Sequence, residues 1–429
     1  MTMRDDLALS LAWEIGKPWA SACADVDRCL DGVRWYVDEI EGMLARDVDG
    51  HPTRREPLEG PVSNIASWNY PFSVLVHQEL IQLLAGNAVV AKTPTQGGAF
   101  GLAAVHAVMA RAGLPVTLLS GDGSELSDAL IRSPEIGALA FVGGRSNGGK
   151  VAAQLADTGK RHMLEQEGLN ALGVWHFSDW DTLAGLLRKG FEYGKQRCTS
   201  YPRFVVQRDL VDAFLATYLP VVRDIRFGHP LLSDTDAGSH DDAALDDVLP
   251  TLDFGPLISA DKASELDGLV AEALRHGAVP LYRGSLDDGL FLPEQDTSAY
   301  HAPVALLAPP GASRLMHAEP FGPVDSIVVV DTEAEMLAQL NASNGALVAS
   351  ICCDDEAEAA RMAEQTQAFK VGINRFRSRG DRDEPFGGRG ASWKGAFVGG
   401  ELIVHAVTQG PQGEQLYGNF PSYQRLPAA

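Results

Sequence analysis

Along the first third of the chain, short apolar runs alternate with stretches whose apolar residues recur at helical spacing. Leu75 to Leu84 reads as a helix stopped by Gly86-Asn87, and Ala88-Val89-Val90-Ala91 as a short buried strand. Phe100 to Arg111 has Ala, Val and Met at helical spacing, with Gly113 as its C-terminal stop. Val116 to Leu119 and Ile136 to Phe141 read as strands, the second running into Gly143-Gly144. A further series follows: strand signals at Ala171 to Phe177 and Arg203 to Gln207, and helix signals at Thr182 to Glu192 and Val211 to Val222. Later strand signals lie at Ser326 to Val330 and Ala346 to Cys352. Repeated strand–helix–strand units predict an α/β fold built on parallel sheets covered on both faces.

At 429 residues the chain exceeds what one hydrophobic core usually supports, so more than one structural unit is expected. The stretch from Leu232 to Asp247 is crowded with Asp and short of large apolar residues, which predicts a solvated surface loop. No internal repeat or low-complexity linker separates the halves.

Charge narrows the function classes. With 35 Lys and Arg against 57 Asp and Glu, the formal net charge of −22 argues against nucleic acid or an anionic membrane as partner. No apolar run reaches the roughly 18–20 residues of a membrane span, and the polar Met1 to Asp6 start lacks a signal-peptide pattern, so a cytoplasmic location is expected. The five cysteines, Cys23, Cys29, Cys198, Cys352 and Cys353, fit no zinc framework and no His pair stands at ligand spacing, so no metal site is expected.

Three segments carry candidate chemistry. Cys198, beside Arg197 in Tyr193-Gly194-Lys195-Gln196-Arg197-Cys198-Thr199-Ser200, is a candidate nucleophile, whereas the other cysteines read as small buried hydrophobes. An ordinary thiol is only about 3% ionised at pH 7, so a nearby cation would raise its reactive fraction. Ser67-Trp68-Asn69-Tyr70-Pro71-Phe72 offers an amide able to hold an oxyanion, and Leu164-Glu165-Gln166-Glu167-Gly168 a carboxylate base. On a strand, Glu165 and Glu167 would share a face, and like-charge repulsion would then make the choice of base ambiguous. His77 reads as a packed residue more readily than as a proton shuttle.

These segments resemble the aldehyde dehydrogenase superfamily. Trp68-Asn69-Tyr70-Pro71, Ala85 to Pro94, Phe141 to Gly148, Glu165, Cys198, Glu319-Pro320-Phe321-Gly322-Pro323 and Pro385-Phe386-Gly387-Gly388 match its signatures in order. The resemblance runs from about Trp13 to Pro411. It implies a Rossmann-like cofactor domain over 1–166, a catalytic domain over 167–393 and a return segment over 394–429. Residues 44–60 and part of the return segment would form an oligomerisation arm for a homodimer or homotetramer.

It also implies a reaction: oxidation of an aldehyde to its acid with NADP or NAD, through a Cys198 thioester. Asn69 would hold the oxyanion, and Glu165 would activate the hydrolytic water. Trp68, Gly143 and Gly148 would border the pyrophosphate, Lys92 and Glu319 the two riboses, and Phe321 the nicotinamide. Thr95 stands three residues after Lys92, where NAD-preferring relatives often carry a carboxylate. With Arg145 as a further phosphate partner, Thr95 favours NADP. Arg375, Arg377, Arg379 and Arg382 crowd the loop before Pro385, which either recruits an anionic aldehyde or is a solvated loop balanced by Asp381, Asp383 and Glu384.

The chain begins later than typical members, and Glu167 replaces a glycine of the pattern. Two other readings stand beside the leading one: a coenzyme A-acylating dehydrogenase or reductase, which usually lacks the glutamate, and a non-catalytic member that binds nucleotide or a partner.

Overall fold

A computed structural model describes residues 3–233, 245–343, 345–421 and 423–424. Most of the stretch expected as an acidic surface loop, residues 234–244, lies outside the described residues; Leu245–Val248 form one helical turn. The chain divides into two compact units. Unit 1 comprises Met1–Ser10, Cys23–Gln166 and Arg379–Ala429, and unit 2 comprises Leu11–Ala22 and Glu167–Ser378. The chain thus leaves unit 1 after Gln166 and returns at Arg379, and residues 379–393 belong with the return segment.

In unit 1, five parallel strands, β1 (Val62–Ile65), β2 (Val89–Lys92), β3 (Val116–Leu119), β4 (Ala138–Val142) and β5 (Arg161–Glu165), lie in the order β3-β2-β1-β4-β5. The Trp393–Ala396 strand adds antiparallel to β5, with Trp393 opposite Glu165. Gly418–Asn419 pairs outside it. All five residues of β4, Ala-Leu-Ala-Phe-Val, are buried, as a strand covered by helices on both faces requires. Helix Ala99–Arg111 precedes β3 and ends at Gly113, whose φ of +80° suits a residue without Cβ. The expected 75–84 helix begins earlier: Pro71–Val76 forms a π-helical turn that passes into His77–Leu84. The 44–60 segment folds as a hairpin, Ala45–Val48 with His51–Arg54, followed by Glu56–Pro57 paired to Thr408–Gln409.

The sheet of unit 2 contains β6 (Ala171–Val174), β7 (Arg203–Gln207), β8 (Val279–Arg283), β9 (Val304–Leu307), β10 (Val324–Val330), β11 (Val348–Cys352) and β12 (Lys370–Ile373). Their order is β8-β9-β10-β7-β6-β11-β12, parallel except for edge strand β8. β6 is shorter than the 171–177 run suggests, because the backbone leaves extended geometry at His176, where φ is +45°. Helix Trp180–Gly190 is capped by the Asp179 side chain, which accepts from Thr182 N–H at 3.1 Å. One core packs helix Ala260–Arg275 against β9, and another packs helices Glu333–Leu340 and Glu356–Glu364 against β6, β7 and β11.

Candidate active site

In unit 1 the strand order reverses between β1 and β4, so the crevice beyond their carboxyl ends is the natural ligand site of an open α/β sheet. The chain leaving β1 carries Trp68 and Asn69, and the chain leaving β4 carries Gly143 and Gly144, which starts helix Arg145–Leu155. That helix has no acidic residue in its first turn, so its N-terminal N–H groups present an unopposed positive end suited to a pyrophosphate. Gly148 lies one turn in, where a Cβ would come within 2.6 Å of the Gln166 side chain, so a larger residue there would need Gln166 to shift.

Lys92 ends β2 and is buried, and burial pushes its ammonium below the ordinary range, with Asp122 acting in the opposite direction. Its Nζ donates to the Thr93 carbonyl at 2.9 Å, which among the described residues leaves two of its three donors for a ligand. Thr95 is exposed in the loop beyond it. These donors fit a dinucleotide: Lys92 would hold the adenosine ribose, and the Arg145–Leu155 helix end the pyrophosphate.

Asn69 is buried, and its Oδ1 accepts from the Ser67 hydroxyl at 2.6 Å. That bond occupies the acceptor end of the amide, while the oxyanion role needs the donor end. Glu165, the last residue of β5, is 2% exposed and accepts from Arg379 Nη1 at 2.6 Å. The strand stops there, so period-two alternation does not carry over to Glu167, which lies past the crossing into unit 2. His77 is held against the Tyr36 ring and the Gly32 backbone. Burial, then the charges of Arg379 and Arg382, push its imidazole down to about 3, so it is neutral at physiological pH and is a packing group rather than a proton shuttle.

Cys198, in unit 2, is the one partly exposed cysteine of the chain's five; the other four are buried. Burial pushes the Cys353 thiol up to about 11, the Cys352 thiol up to about 12 and that of Cys29 higher still, which removes them as nucleophiles. The turn before Cys198 is strained: Tyr193, Gly194 and Lys195 all have left-handed φ, at +57°, +59° and +59°. Two non-glycine residues there cost about 1–3 kcal/mol each, so the surroundings must enforce the turn. Tyr193 N–H donates to the Asp253 carbonyl at 2.8 Å, and its hydroxyl to the Ile15 carbonyl at 2.9 Å. Lys195, fully buried, meets Asp325 at 2.5 Å, and the other Asp325 oxygen accepts from Tyr218 at 2.8 Å.

Arg197 does not face the thiol chemistry as its adjacency suggested. Its guanidinium binds the carbonyls at the end of helix Trp180–Gly190, those of Lys189 and Gly190, each at 3.1 Å, and Glu192 at 3.3 Å.

Asn170, which the sequence reading missed, clamps the Cys198 segment. Its Nδ2 donates to the Cys198 and Ser200 carbonyls at 2.8 and 2.7 Å, and its Oδ1 accepts from Leu347 and Val348 N–H at 3.3 and 3.1 Å. A Cβ on Gly168 would meet the Cys198 carbonyl at 2.4 Å, and Gly168 N–H donates to Glu319 Oε2 at 3.2 Å. Unit 2 therefore gathers residues 168, 170, 198 and 319 into one cluster. Phe321, two residues beyond Glu319, sits in the left-handed region at φ +51°. The four arginines crowded in sequence divide at the crossing: Arg375 and Arg377 belong to unit 2, the latter buried, while Arg379 faces Glu165 and Arg382 lies 4.0 Å from Asp31.

Among the described residues no helix is long and apolar enough to cross a membrane, and no group of His, Cys, Asp or Glu could hold a metal ion. Solved structures match over 95% of the chain. An NADP-dependent glyceraldehyde-3-phosphate dehydrogenase from Bacillus halodurans C-125, complexed with NADP, is 26% identical, is covered over 82% of its length and gives a TM-score of 0.81. An NAD-dependent aldehyde dehydrogenase from Sinorhizobium meliloti (24% identity, 78% of its length, TM-score 0.83) shares the fold. So does a succinic semialdehyde dehydrogenase from Streptococcus pyogenes in complex with NADP+ (22%, 85%, 0.82). The model of the aldehyde dehydrogenase family matches residues 1–410, and with the switch-point crevice and the ordered Cys198 segment in place, the chain belongs to that family as an NAD(P)-dependent oxidoreductase acting on aldehydes.

Proposed function

We propose that the protein oxidises a small aldehyde to its carboxylic acid through a covalent Cys198 thioester that Glu165-activated water hydrolyses. The observation that carries this reading is the clamp on Cys198: a partly exposed thiol whose own carbonyl is fixed by Asn170, on a turn held by buried bonds. The Cys198 thiolate adds to the aldehyde carbon, and the Asn69 amide and the Cys198 backbone N–H stabilise the oxygen that becomes negative. When bound, NAD(P)+ supplies the hydride acceptor that takes the adduct to the oxidation level of an acid. Glu165 then takes a proton from water as its oxygen adds to the thioester, and sulfur leaves with the bonding pair. The buried carboxylate favours hydrolysis over transfer to coenzyme A.

NADP is the favoured cofactor, because no carboxylate stands at position 95 to repel a 2′-phosphate. Anionic aldehydes are the first substrates to try: Arg375 is exposed, and the Bacillus relative is described as acting on a phosphorylated aldehyde. A homo-oligomer built on the 45–57 hairpin region belongs to the same reading.

The test is NADPH and NADH formation with neutral and anionic aldehydes, alongside Cys198→Ala. The reading predicts turnover that the substitution abolishes, faster with NADP+. Nucleotide binding without turnover of any aldehyde would favour a degenerate member.

A further inference from the structure

Glu165 and Arg379 are 214 positions apart in sequence yet both belong to unit 1 and meet at 2.6 Å. Each stands near a crossing of the chain between units, Glu165 one residue before the chain leaves unit 1 at Gln166 and Arg379 where it returns. The carboxylate is 2% exposed and the arginine side chain 18%. The guanidinium also lies over the Phe386 ring, 5.5 Å from its centroid, which fixes its plane. A carboxylate this deep needs a counter-charge, since an isolated buried ion would neutralise itself instead. A base fixed to an arginine is also a weaker proton acceptor than a bare one.

We propose that Arg379 is the positioning residue for the Glu165 base: it keeps the buried carboxylate ionised and in one orientation, and so sets the pH range over which thioester hydrolysis runs. The inference rests on Glu165 being the base. Charged and titratable groups near the arginine include His77 and Tyr36, both of which feel its charge, and Arg382, which also acts on His77 and lies 4.0 Å from Asp31. Burial holds His77 neutral and raises the Tyr36 phenol, so neither brings a competing charge to the Glu165–Arg379 pair. Hydrolysis itself balances without an outside reagent. Water gives a proton to Glu165 and an oxygen to the acyl carbon, the C–S bond breaks, and the thiolate departs with its electron pair while the acid is released.

The test uses p-nitrophenyl acetate, which acylates a nucleophilic thiol without needing the cofactor or the natural aldehyde. In the full chain, the burst of p-nitrophenolate reports acylation of Cys198, and the steady rate reports hydrolysis. Profiles from pH 5 to 9 would be recorded for the unmodified protein and for Arg379→Gln, Arg379→Lys and Glu165→Gln. In Arg379→Gln the acidic limb of the steady rate should move up by about one pH unit or more, with the burst still one equivalent. In Arg379→Lys, which keeps charge but loses the planar fork, the limb should lie between the two. In Glu165→Gln the limb should vanish and the steady rate fall by about 10²–10⁴.

A normal burst with an unmoved limb in both Arg379 variants would overturn the proposal. If Arg379→Gln gives no burst, the limb in Arg379→Lys decides the matter by the same criterion. Absence of a Cys198-dependent burst in the unmodified protein would instead sink the thioester reading on which the proposal rests.

Discussion

The two units use their parallel sheets from opposite edges. In unit 1 every candidate residue lies at or just past the carboxyl end of a strand: Trp68 and Asn69 after β1, Lys92 ending β2, Gly143 after β4 and Glu165 ending β5. In unit 2 they precede strands: Gly168 and Asn170 before β6, Cys198 before β7, Glu319 and Phe321 before β10. Carboxyl ends are the usual binding edge of open α/β sheets, and helix N-termini gather there. Unit 1 therefore binds with what the topology already supplies. Unit 2 has no such help at its amino ends and holds the Cys198 loop with buried polar clamps and a left-handed turn.

The comparison breaks most easily at Lys195. In unit 2 the Lys195–Asp325 pair is wholly buried, and desolvation pushes the lysine down and the aspartate up, with each partner opposing the shift of the other. Lys195→Met should cost about 3–5 kcal/mol in urea unfolding, because Asp325 is left buried without its counter-charge. A double variant with Asp325→Leu should recover much of that. If Lys195→Met unfolds like the parent, the clamps do not hold the turn.

Asn69→Ala probes the other edge. It should leave unfolding within about 1–2 kcal/mol of the parent, the usual range for losing the hydrogen bonds of one neutral side chain. It should also lower kcat by about 10²–10³, the usual effect of losing one oxyanion donor. Equal losses in KM and stability would make it a structural residue instead.

A third effect is specific to unit 1. The folded value of His77 is about 3, and an unfolded histidine titrates near 6.5, so only the unfolded chain binds a proton between them. Stability should therefore fall as pH drops from about 6.5 toward 3, by up to about 1.4 kcal/mol per pH unit from this group. The sign follows from a depressed folded value: the contribution is intact above the unfolded value and is lost on acidification. His77→Asn should flatten that part of the slope, measured as the difference between urea midpoints at pH 7 and pH 5. An unchanged slope would place the histidine in contact with solvent.

The smallest expected effect is at Thr95, exposed beyond Lys92. Thr95→Glu should shift the ratio of kcat/KM for NADP+ over NAD+ by about tenfold toward NAD+, or about 1.4 kcal/mol. No shift would separate cofactor choice from this loop.

What the sequence revealed follows the same division. Strands 116–119 and 203–207 are where the apolar runs put them, residue for residue: the second has four buried residues at the centre of its sheet, and the first, a half-exposed edge strand, is marked off by Pro115 before it and by Ser120-Gly121 after it. Cys198, Asn69 and Glu165 were legible as residue types within motifs, and the glycines after β4 by their place between strand and helix. The supports were not. Tyr193 and Lys195 give no local sign of a left-handed turn, and only Gly194 between them hints at one. Lys195–Asp325 and Glu165–Arg379 span 130 and 214 positions, and such pairings arise from the folded topology rather than from any local pattern. Asn170, a polar residue at a strand entry, carries no local sign of the four bonds it makes. Arg197 shows the converse: adjacency to the thiol in sequence suggested help, but its side chain runs to the helix end.

The central claim is that chemistry passes through an acyl group on Cys198. Glu165→Gln should acylate but release slowly, so a reaction with aldehyde and NADP+ quenched in acid and digested can be read by mass spectrometry. The account predicts one acyl group per chain, on the peptide that contains Cys198, with one equivalent of NADPH formed. NADPH accumulating through many turnovers without any Cys198 adduct, or formed equally by Cys198→Ala, would contradict it.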